Sequence, residues 1–266
     1  MPQGFVPLGL SSAPAEGYGG GMWRYQGGGF YPEDFPLPEE GRLVLVVNGE
    51  PWSAFSYTPG DEAYLAVGHL FLSGALSHPQ GVRLRVGEGM VLVDLPEAPQ
   101  RGLGVRDSGC AAGLRYGEPR LAPLPQVPLD PELPLVLLAR LRQGTARYAR
   151  TRGIHGAALF DLSGHLLYLN EDIGRHNAVD RLAGFMLLEG IMPPVLVATT
   201  GRVSQEMAAK AIGMGAVLLA SRTGATLPAV ALACRYGLAL ATYVRPTGYR
   251  LYAPGGMPVA GQVPRP

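Results

Sequence analysis

Short β-branched runs and one helical stretch alternate along residues 41–95. Residues 43–47 are a run of leucine and valine that stops at Asn48-Gly49, a pair typical of a tight turn between strands. Proline, glycine and two acids open residues 59–74, which predicts a helix with a favourable first turn. Residues 82–95 then predict a hairpin around a glycine-rich turn. The pattern indicates a small α+β unit.

The second half of the chain has longer alternating elements. Six prolines within residues 118–134 predict a stiff linker, and Asp130-Pro131-Glu132 predicts the start of a helix. The later pattern predicts strands at 157–160, 166–169, 195–199, 216–220 and 238–244, and helices at 177–188, 204–214 and 227–236. Alternation of this kind favours a three-layer α/β domain with some parallel sheet.

Composition shifts divide the chain further. We predict an extended or disordered arm at 1–40, a small α+β domain at 41–125, an α/β domain at 126–254 and a loose tail at 255–266. An arm that packs on a partner subunit is the alternative for the first segment.

Composition also excludes some partners. Of 266 residues, 47% are hydrophobic and 16% charged, with a formal net charge of +1, so nothing favours nucleic acid or an anionic membrane as the partner. Two cysteines are too few for a disulfide framework. With no signal pattern or long apolar run, the expected compartment is the cytoplasm, with both thiols reduced.

The densest polar cluster spans residues 171–181, between a predicted strand and a predicted helix. Ligands of α/β folds collect at such positions. His176 and Asp180 are four residues apart, so Asp180 could orient the imidazole and raise its pKa. The alternative is an ordinary helix start, capped by Asp172 and stabilised by salt bridges.

Three further turns follow predicted strands, at residues 199–206, 221–226 and 243–248. The first two combine glycine, hydroxyls and arginine at a helix start, which suits a phosphate. Ser204 as a plain N-cap is the alternative for the first of them. Arg245 and Thr247 could reach the same edge, so the set favours one cleft for an elongated ligand with several phosphates.

The two cysteines lie in different surroundings. Cys110 stands in a glycine, serine and alanine loop, where Arg106 or Arg115 could favour the thiolate that carries or attacks sulfur. Cys234 lies in an apolar helical run, which predicts a buried core position.

Residues 171–180, Glu-Asp-Ile-Gly-Arg-His-Asn-Ala-Val-Asp, resemble the signature of the formate dehydrogenase accessory sulfurtransferase family (FdhD). Shorter similarities follow in the order of that family and extend the resemblance over about residues 42–252, at 47–49, 58–59, 65–68, 155–160, 201–204, Lys210 and 245–252.

The resemblance implies a function and a fold. A loop cysteine accepts persulfide sulfur from a cysteine desulfurase and passes it to a bis-molybdopterin guanine dinucleotide molybdenum cofactor, which then enters formate dehydrogenase. The main domain would be cytidine-deaminase-like and the protein a homodimer, with no tightly bound metal of its own. Cys110 would be the carrier. The family stretch that contacts the cofactor matches Tyr243, Val244, Arg245, Pro246, Thr247 and Gly248. The motifs themselves indicate that the rest of the cleft is lined by Arg175, His176, Asn177, Arg202, Ser204 and Thr226.

One departure keeps alternatives open. The family loop has two cysteines, whereas the loop of this chain has only Cys110. Cys110 matches the first of the two with Gly113 at the second, or the second with Asp107 at the first. A chaperone that binds the cofactor without carrying sulfur is therefore the main alternative. A zinc nucleobase deaminase of the same implied fold would need His-x-Glu and Pro-Cys-x-x-Cys, and neither motif is present.

Overall fold

The computed structural model describes residues 22–97, 111–112 and 121–258. Contacts divide the chain into two compact units, Met1–Leu37 and Pro38–Pro266. The described part of the first is an antiparallel hairpin of β1 (Trp23–Gln26) and β2 (Gly29–Pro32), which the sequence pattern did not predict. Gly27 and Gly28 have positive φ and so permit the tight turn between them.

The larger unit begins with a five-stranded sheet in the order β5-β6-β3-β4-β7. Its elements are β3 (Gly41–Val47), β4 (Glu50–Tyr57), α1 (Glu62–Leu72), β5 (Arg83–Gly87), β6 (Met90–Asp94) and β7 (Ala111–Ala112). Leucine and valine on one face of β3 and β6 are buried in a hydrophobic cluster that also includes Leu65 and Leu70 of α1. The predicted small α+β unit is confirmed in its strands and helix, and β7 is an addition.

A six-stranded sheet in the order β13-β12-β11-β10-β8-β9 follows. Its elements are α2 (Leu133–Gly144), α3 (Ala146–Thr151), β8 (His155–Phe160), β9 (Leu166–Asp172), α4 (Arg175–Leu188), β10 (Val195–Thr199), α5 (Gln205–Gly213), β11 (Ala216–Ser221), α6 (Leu227–Tyr236), β12 (Ala239–Arg245) and β13 (Gly248–Ala253). Strands β10, β11 and β12 are parallel, and the other pairings are antiparallel. Every residue of β10 and β11 is buried, as in a sheet covered on both faces.

Helices α1 and α4 join the two sheets through a glycine contact. A Cβ added to Gly68 would lie 1.7 Å from the carbonyl oxygen of Asp180, and one added to Gly184 would lie 1.9 Å from that of Tyr64. The two helix backbones therefore touch, which only glycine allows at these positions. The contact fixes α4 and its polar amino end against the first sheet.

Several sequence predictions need correction. Helix α2 begins at Leu133, because the Asp130 carboxylate accepts the Glu132 amide at 2.8 Å and forms a turn before the helix. Helix α3 and strand β13 were not predicted. A mixed α/β fold is confirmed, whereas the cytidine-deaminase likeness and the boundary at residue 125 stay predictions. No helix in the described ranges is long and apolar enough to cross a bilayer.

Candidate functional site

One edge of the six-stranded sheet gathers the predicted site segments. Strands β9, β10, β11 and β12 all run toward this edge, and antiparallel β8 starts there at His155. The register pairs His155 with Asp172, and Thr199 with Ser221. The four segments that follow these strands, including the amino end of α4, therefore share this edge, as expected for ligand sites in α/β sheets.

Hydrogen bonds join the three turns after β10, β11 and β12. The Val203 amide donates to the Gly224 carbonyl at 3.0 Å, and the Thr226 amide donates to the Val203 carbonyl at 3.0 Å. The Tyr243 amide donates to the Thr223 carbonyl at 3.0 Å. The turns at 199–206, 221–226 and 243–248 therefore form one continuous surface, and the single cleft that the sequence predicted there stays a prediction.

Four arginines, Arg175, Arg202, Arg222 and Arg245, lie on this surface, and we call them the arginine edge. Arg202, Arg222 and Arg245 are exposed, and Arg245 donates to the Arg222 carbonyl. Arg175 is half-buried against Gly201, and its Nε is buried with no hydrogen-bond partner among the described residues. Guanidinium groups bind phosphate oxygens through two parallel hydrogen bonds, so the cluster suits a polyanion.

The segment 243–248 leaves β12 through an irregular backbone. Tyr243 has φ 53°, at a register shift between β12 and β13. Its ring lies under Arg250, 4.9 Å from the guanidinium carbon, and its hydroxyl would lie 2.4 Å from a Cβ on Gly224. A non-glycine residue at positive φ is strained and often marks a functional position. Val244 is buried, whereas Pro246 and Thr247 are exposed and Gly248 begins β13.

Two of the predicted hydroxyl residues stand at helix starts. Ser204 is the N-cap of α5, and its side chain accepts the Met207 amide at 3.4 Å, as the capping alternative predicted. Thr226 occupies the N-cap position of α6 without a side-chain capping bond. The Thr226 hydroxyl therefore does not cap the helix, although it stands at the positive end of the helix dipole.

Asp172 connects residues 171–180, which we call the signature segment, to the first sheet. Its carboxylate, fully buried, accepts from the Thr58 amide at 3.2 Å and the Gly174 amide at 2.7 Å, and pairs with Arg181 at 2.8 Å. Asn177 donates both to Asp172, at 2.9 Å, and to the Ser56 carbonyl, at 2.8 Å. Asn177, predicted to contact cofactor, is thus buried with its amide nitrogen engaged by the protein.

The predicted pairing of His176 with Asp180 is wrong. Nε2 of His176 lies 3.2 Å from Oε2 of Glu206, while Asp180 pairs with Lys210 at 2.6 Å and with His69 at 3.5 Å. Burial, and then the charge of Lys210, lower the pKa of His176 to about 4 instead of raising it. Burial opposes ionisation of Asp180, but Lys210 and His69 together hold its pKa below the ordinary value.

His69 and Glu206 were missed as members of this cluster. Each lies on a helix whose apolar pattern gives no sign of a polar partner, and their partners are distant in sequence. Lys210 carried one signal, because it is the single lysine of the chain and matched a family position. An isolated charge inside an apolar helix face is the kind of pattern that predicts a buried ion pair.

Cys110 lies outside the described residues, but β7 begins at the next residue. Ala111 pairs with Phe55 and Ala112 with Ala54. Residue Ser56, next to Phe55, is the one whose carbonyl Asn177 binds. The strand that follows the predicted carrier cysteine is therefore paired beside the contact between the first sheet and the signature segment.

The prediction that Cys234 is buried is wrong, because its side chain is exposed. Helix α6 buries only Ala229 and Ala233, four residues apart, so Cys234 falls beside the buried stripe rather than in it. Among the described residues, no group of three or more His, Cys, Asp or Glu is arranged to hold a metal ion.

Comparison with known proteins identifies the relatives of this chain. The family model described as "FdhD/NarQ family" matches residues 38–256. Relatives named "Sulfur carrier protein FdhD" include one from Streptomyces avermitilis, 32% identical over 82% of this chain and 86% of the relative. Another, from Bacillus subtilis, is 29% identical over 87% of this chain and 93% of the relative.

A solved structure gives the same result. A protein from Desulfotalea psychrophila, described as a formate dehydrogenase accessory protein, has 25% identity and a TM-score of 0.74 over 88% of this chain and 95% of that one. The family model covers most of the chain, and the arrangement of strands and helices is shared over nearly all of the solved structure. This chain belongs to the FdhD/NarQ family.

Proposed function

We propose that this protein is a cytoplasmic, homodimeric sulfur carrier that serves formate dehydrogenase. Cys110 accepts sulfur from the persulfide of a cysteine desulfurase and passes it to the bis-molybdopterin guanine dinucleotide molybdenum cofactor. In the first step the Cys110 thiolate attacks the outer sulfur of the donor persulfide. The donor S–S bond breaks, the donor cysteine leaves as a thiolate, and Cys110 carries the sulfur as a persulfide.

The pairing of β7 with β4 is the observation that carries this proposal. It pairs the strand that begins after Cys110 with Ala54 and Phe55, and the next residue, Ser56, is the one whose carbonyl accepts from Asn177. Arg175, at the first position of α4, lies two residues before Asn177 and belongs to the arginine edge. The names of the relatives point to sulfur as the cargo. The start of α4 thus contacts the strand pair beside the cysteine segment through Asn177 and contributes Arg175 to the surface that suits a polyanion.

Mass spectrometry tests the sulfur-carrying step directly. After incubation with a cysteine desulfurase and cysteine, we expect the peptide that contains Cys110 to gain about 32 Da, the mass of one sulfur atom, and to lose it with a reductant. Because Cys234 is an exposed thiol, its peptide is the matched control and should stay unmodified. A protein that binds the cofactor but shows no adduct on Cys110 would instead be a chaperone.

The arginine edge predicts binding of the nucleotide part of the cofactor. GDP serves as the probe, and we expect Arg202→Ala together with Arg245→Ala to weaken its binding about 10- to 100-fold, because each arginine supplies charge-assisted hydrogen bonds to phosphate. Isothermal titration calorimetry measures the change. Arg85→Ala, an exposed arginine of β5, is the control that should bind as the wild type does. Equal affinity of the double variant would place the nucleotide elsewhere.

A further inference from the structure

His155, the first residue of β8, lies at the end of the six-stranded sheet that carries the arginine edge. Strand β8 pairs antiparallel with both of its neighbours, His155 opposite Asp172 of β9 and Ala157 opposite Thr199 of β10. Paired residues of neighbouring strands, and alternate residues of one strand, point to the same face of a sheet. The side chains of His155, Asp172 and Thr199 therefore share one face. It is the face of α4, because Asp172 pairs with Arg181 of that helix at 2.8 Å.

The loop after β10 connects His155 to Arg175 at the start of α4. The Gly156 amide donates to Oγ1 of Thr200 at 3.0 Å, and the Thr200 amide donates to the Gly156 carbonyl at 2.9 Å. A Cβ added to Gly201 would lie 2.9 Å from Cβ of Arg175, so Arg175 packs on the same loop. His155 and Arg175 are thus held beside the same two loop residues.

The imidazole of His155 is half-buried, and among the residues that the structure describes it has no hydrogen bond and no ion pair. Burial, followed by the charge of Arg175, lowers its pKa, so the ring is neutral at physiological pH. The carboxylate of Asp172 acts in the opposite direction but is engaged by Arg181. A neutral imidazole and a guanidinium with a buried, unpaired Nε therefore lie next to each other at the end of the sheet that suits a polyanion.

We propose that His155 and Arg175 together bind one anionic group of the ligand of the arginine edge, and that His155 takes up a proton from solvent as the ligand binds. The anion supplies negative charge where Arg175 alone supplied positive charge, so it favours the protonated imidazole. The proton adds to a ring nitrogen, no bond of the ligand changes, and Arg175 keeps its charge throughout. This inference rests on the proposed function, since it makes ligand binding at the proposed nucleotide surface depend on pH.

The direction of the pH dependence follows from the two states of His155. In the free protein its pKa is below the ordinary value, and a bound anion raises it. Between these two pKa values the ligand binds together with a proton, so the affinity rises as the pH falls. Below the pKa of the free protein the ring is protonated in both states, and the affinity stops rising.

GDP-mannose is the probe, because both ends of its diphosphate are esterified, as in a guanine dinucleotide cofactor. The free terminal phosphate of GDP has a second ionisation near about pH 6, which would obscure that of a histidine. Isothermal titration calorimetry on the full-length wild type should show about tenfold tighter binding at about pH 6 than at about pH 8, the change that one unit of pKa shift gives. The affinity of His155→Gln should change less than about twofold over the same range.

Proton uptake provides a second measurement that needs no variant. The heat of binding at about pH 7, measured in buffers with different ionisation enthalpies, should show that the wild type takes up part of a proton. The His155→Gln protein should take up none. His165→Gln, in the exposed turn at the other ends of β8 and β9, is the matched control and should behave as the wild type does.

No proton uptake by the wild type, or an equal pH dependence in His155→Gln, would overturn the assignment of His155. The nucleotide surface would still stand in that case if Arg202→Ala together with Arg245→Ala weakened binding. A wild-type protein that does not bind GDP-mannose at all would contradict both. Persulfide formation on Cys110 is scored separately, so the carrier role and this inference can fail independently of each other.

Discussion

Replacing Cys110 with serine is expected to abolish the support that this protein gives to formate dehydrogenase. The serine hydroxyl ionises far too weakly to act as the thiolate does, and it cannot form a persulfide. In cells that lack their own sulfur carrier, we expect formate oxidation to fall about 100-fold or more, to the level without the protein. Because a second loop cysteine is missing, no neighbouring thiol can take over the transfer.

Cys234→Ser is the matched control, because Cys234 is the other thiol of the chain and is exposed on α6. It should retain full activity at equal protein abundance, measured by immunoblot. Normal formate oxidation with Cys110→Ser would contradict the carrier mechanism. If that variant also bound GDP normally, the chaperone alternative would explain both results, since binding alone would then support the enzyme.

Local patterns were sufficient for most strands and helices. The run at 43–47 ends at a turn pair, and 195–198 is apolar throughout, so length and composition alone predicted β3 and β10. The parallel arrangement then implied that the turns after β10, β11 and β12 share one edge. This part of the candidate site could therefore be deduced before any coordinates, because it follows from topology.

Which charged side chains pair with one another could not be deduced from the sequence in the same way. His176 and Asp180 share a helix face, but each side chain pairs with a residue of α5 instead: His176 with Glu206 at 3.2 Å and Asp180 with Lys210 at 2.6 Å. Which helix packs beside α4 depends on contacts such as that between Gly68 and Gly184, which involve residues far apart in the sequence. Strand β7, only two residues long, is likewise defined by its pairing with β4 rather than by its own pattern.

Asp172→Ala is expected to lower the free energy of unfolding by about 3–5 kcal/mol, because it leaves the buried guanidinium of Arg181 without its carboxylate. The amides of Thr58 and Gly174 and the side chain of Asn177 lose an acceptor at the same time. Urea unfolding followed by circular dichroism measures the loss. The free energy of unfolding of a typical domain is only about 5–15 kcal/mol, so the variant would be close to unfolding.

The exposed pair of Arg85 and Asp94 provides the matched control. These side chains are 70% and 49% exposed, against 3% and 0% for Arg181 and Asp172. Because water screens an exposed ion pair, Asp94→Ala should cost less than about 1 kcal/mol. Equal losses in the two variants would mean that Asp172 does not hold the structure together. A much larger loss of unfolding free energy for Asp172→Ala would instead show that Asp172 stabilises the contact between the start of α4 and the loop at Thr58. Arg175 and His176, which follow Asp172 at the start of α4, would then be positioned by that contact.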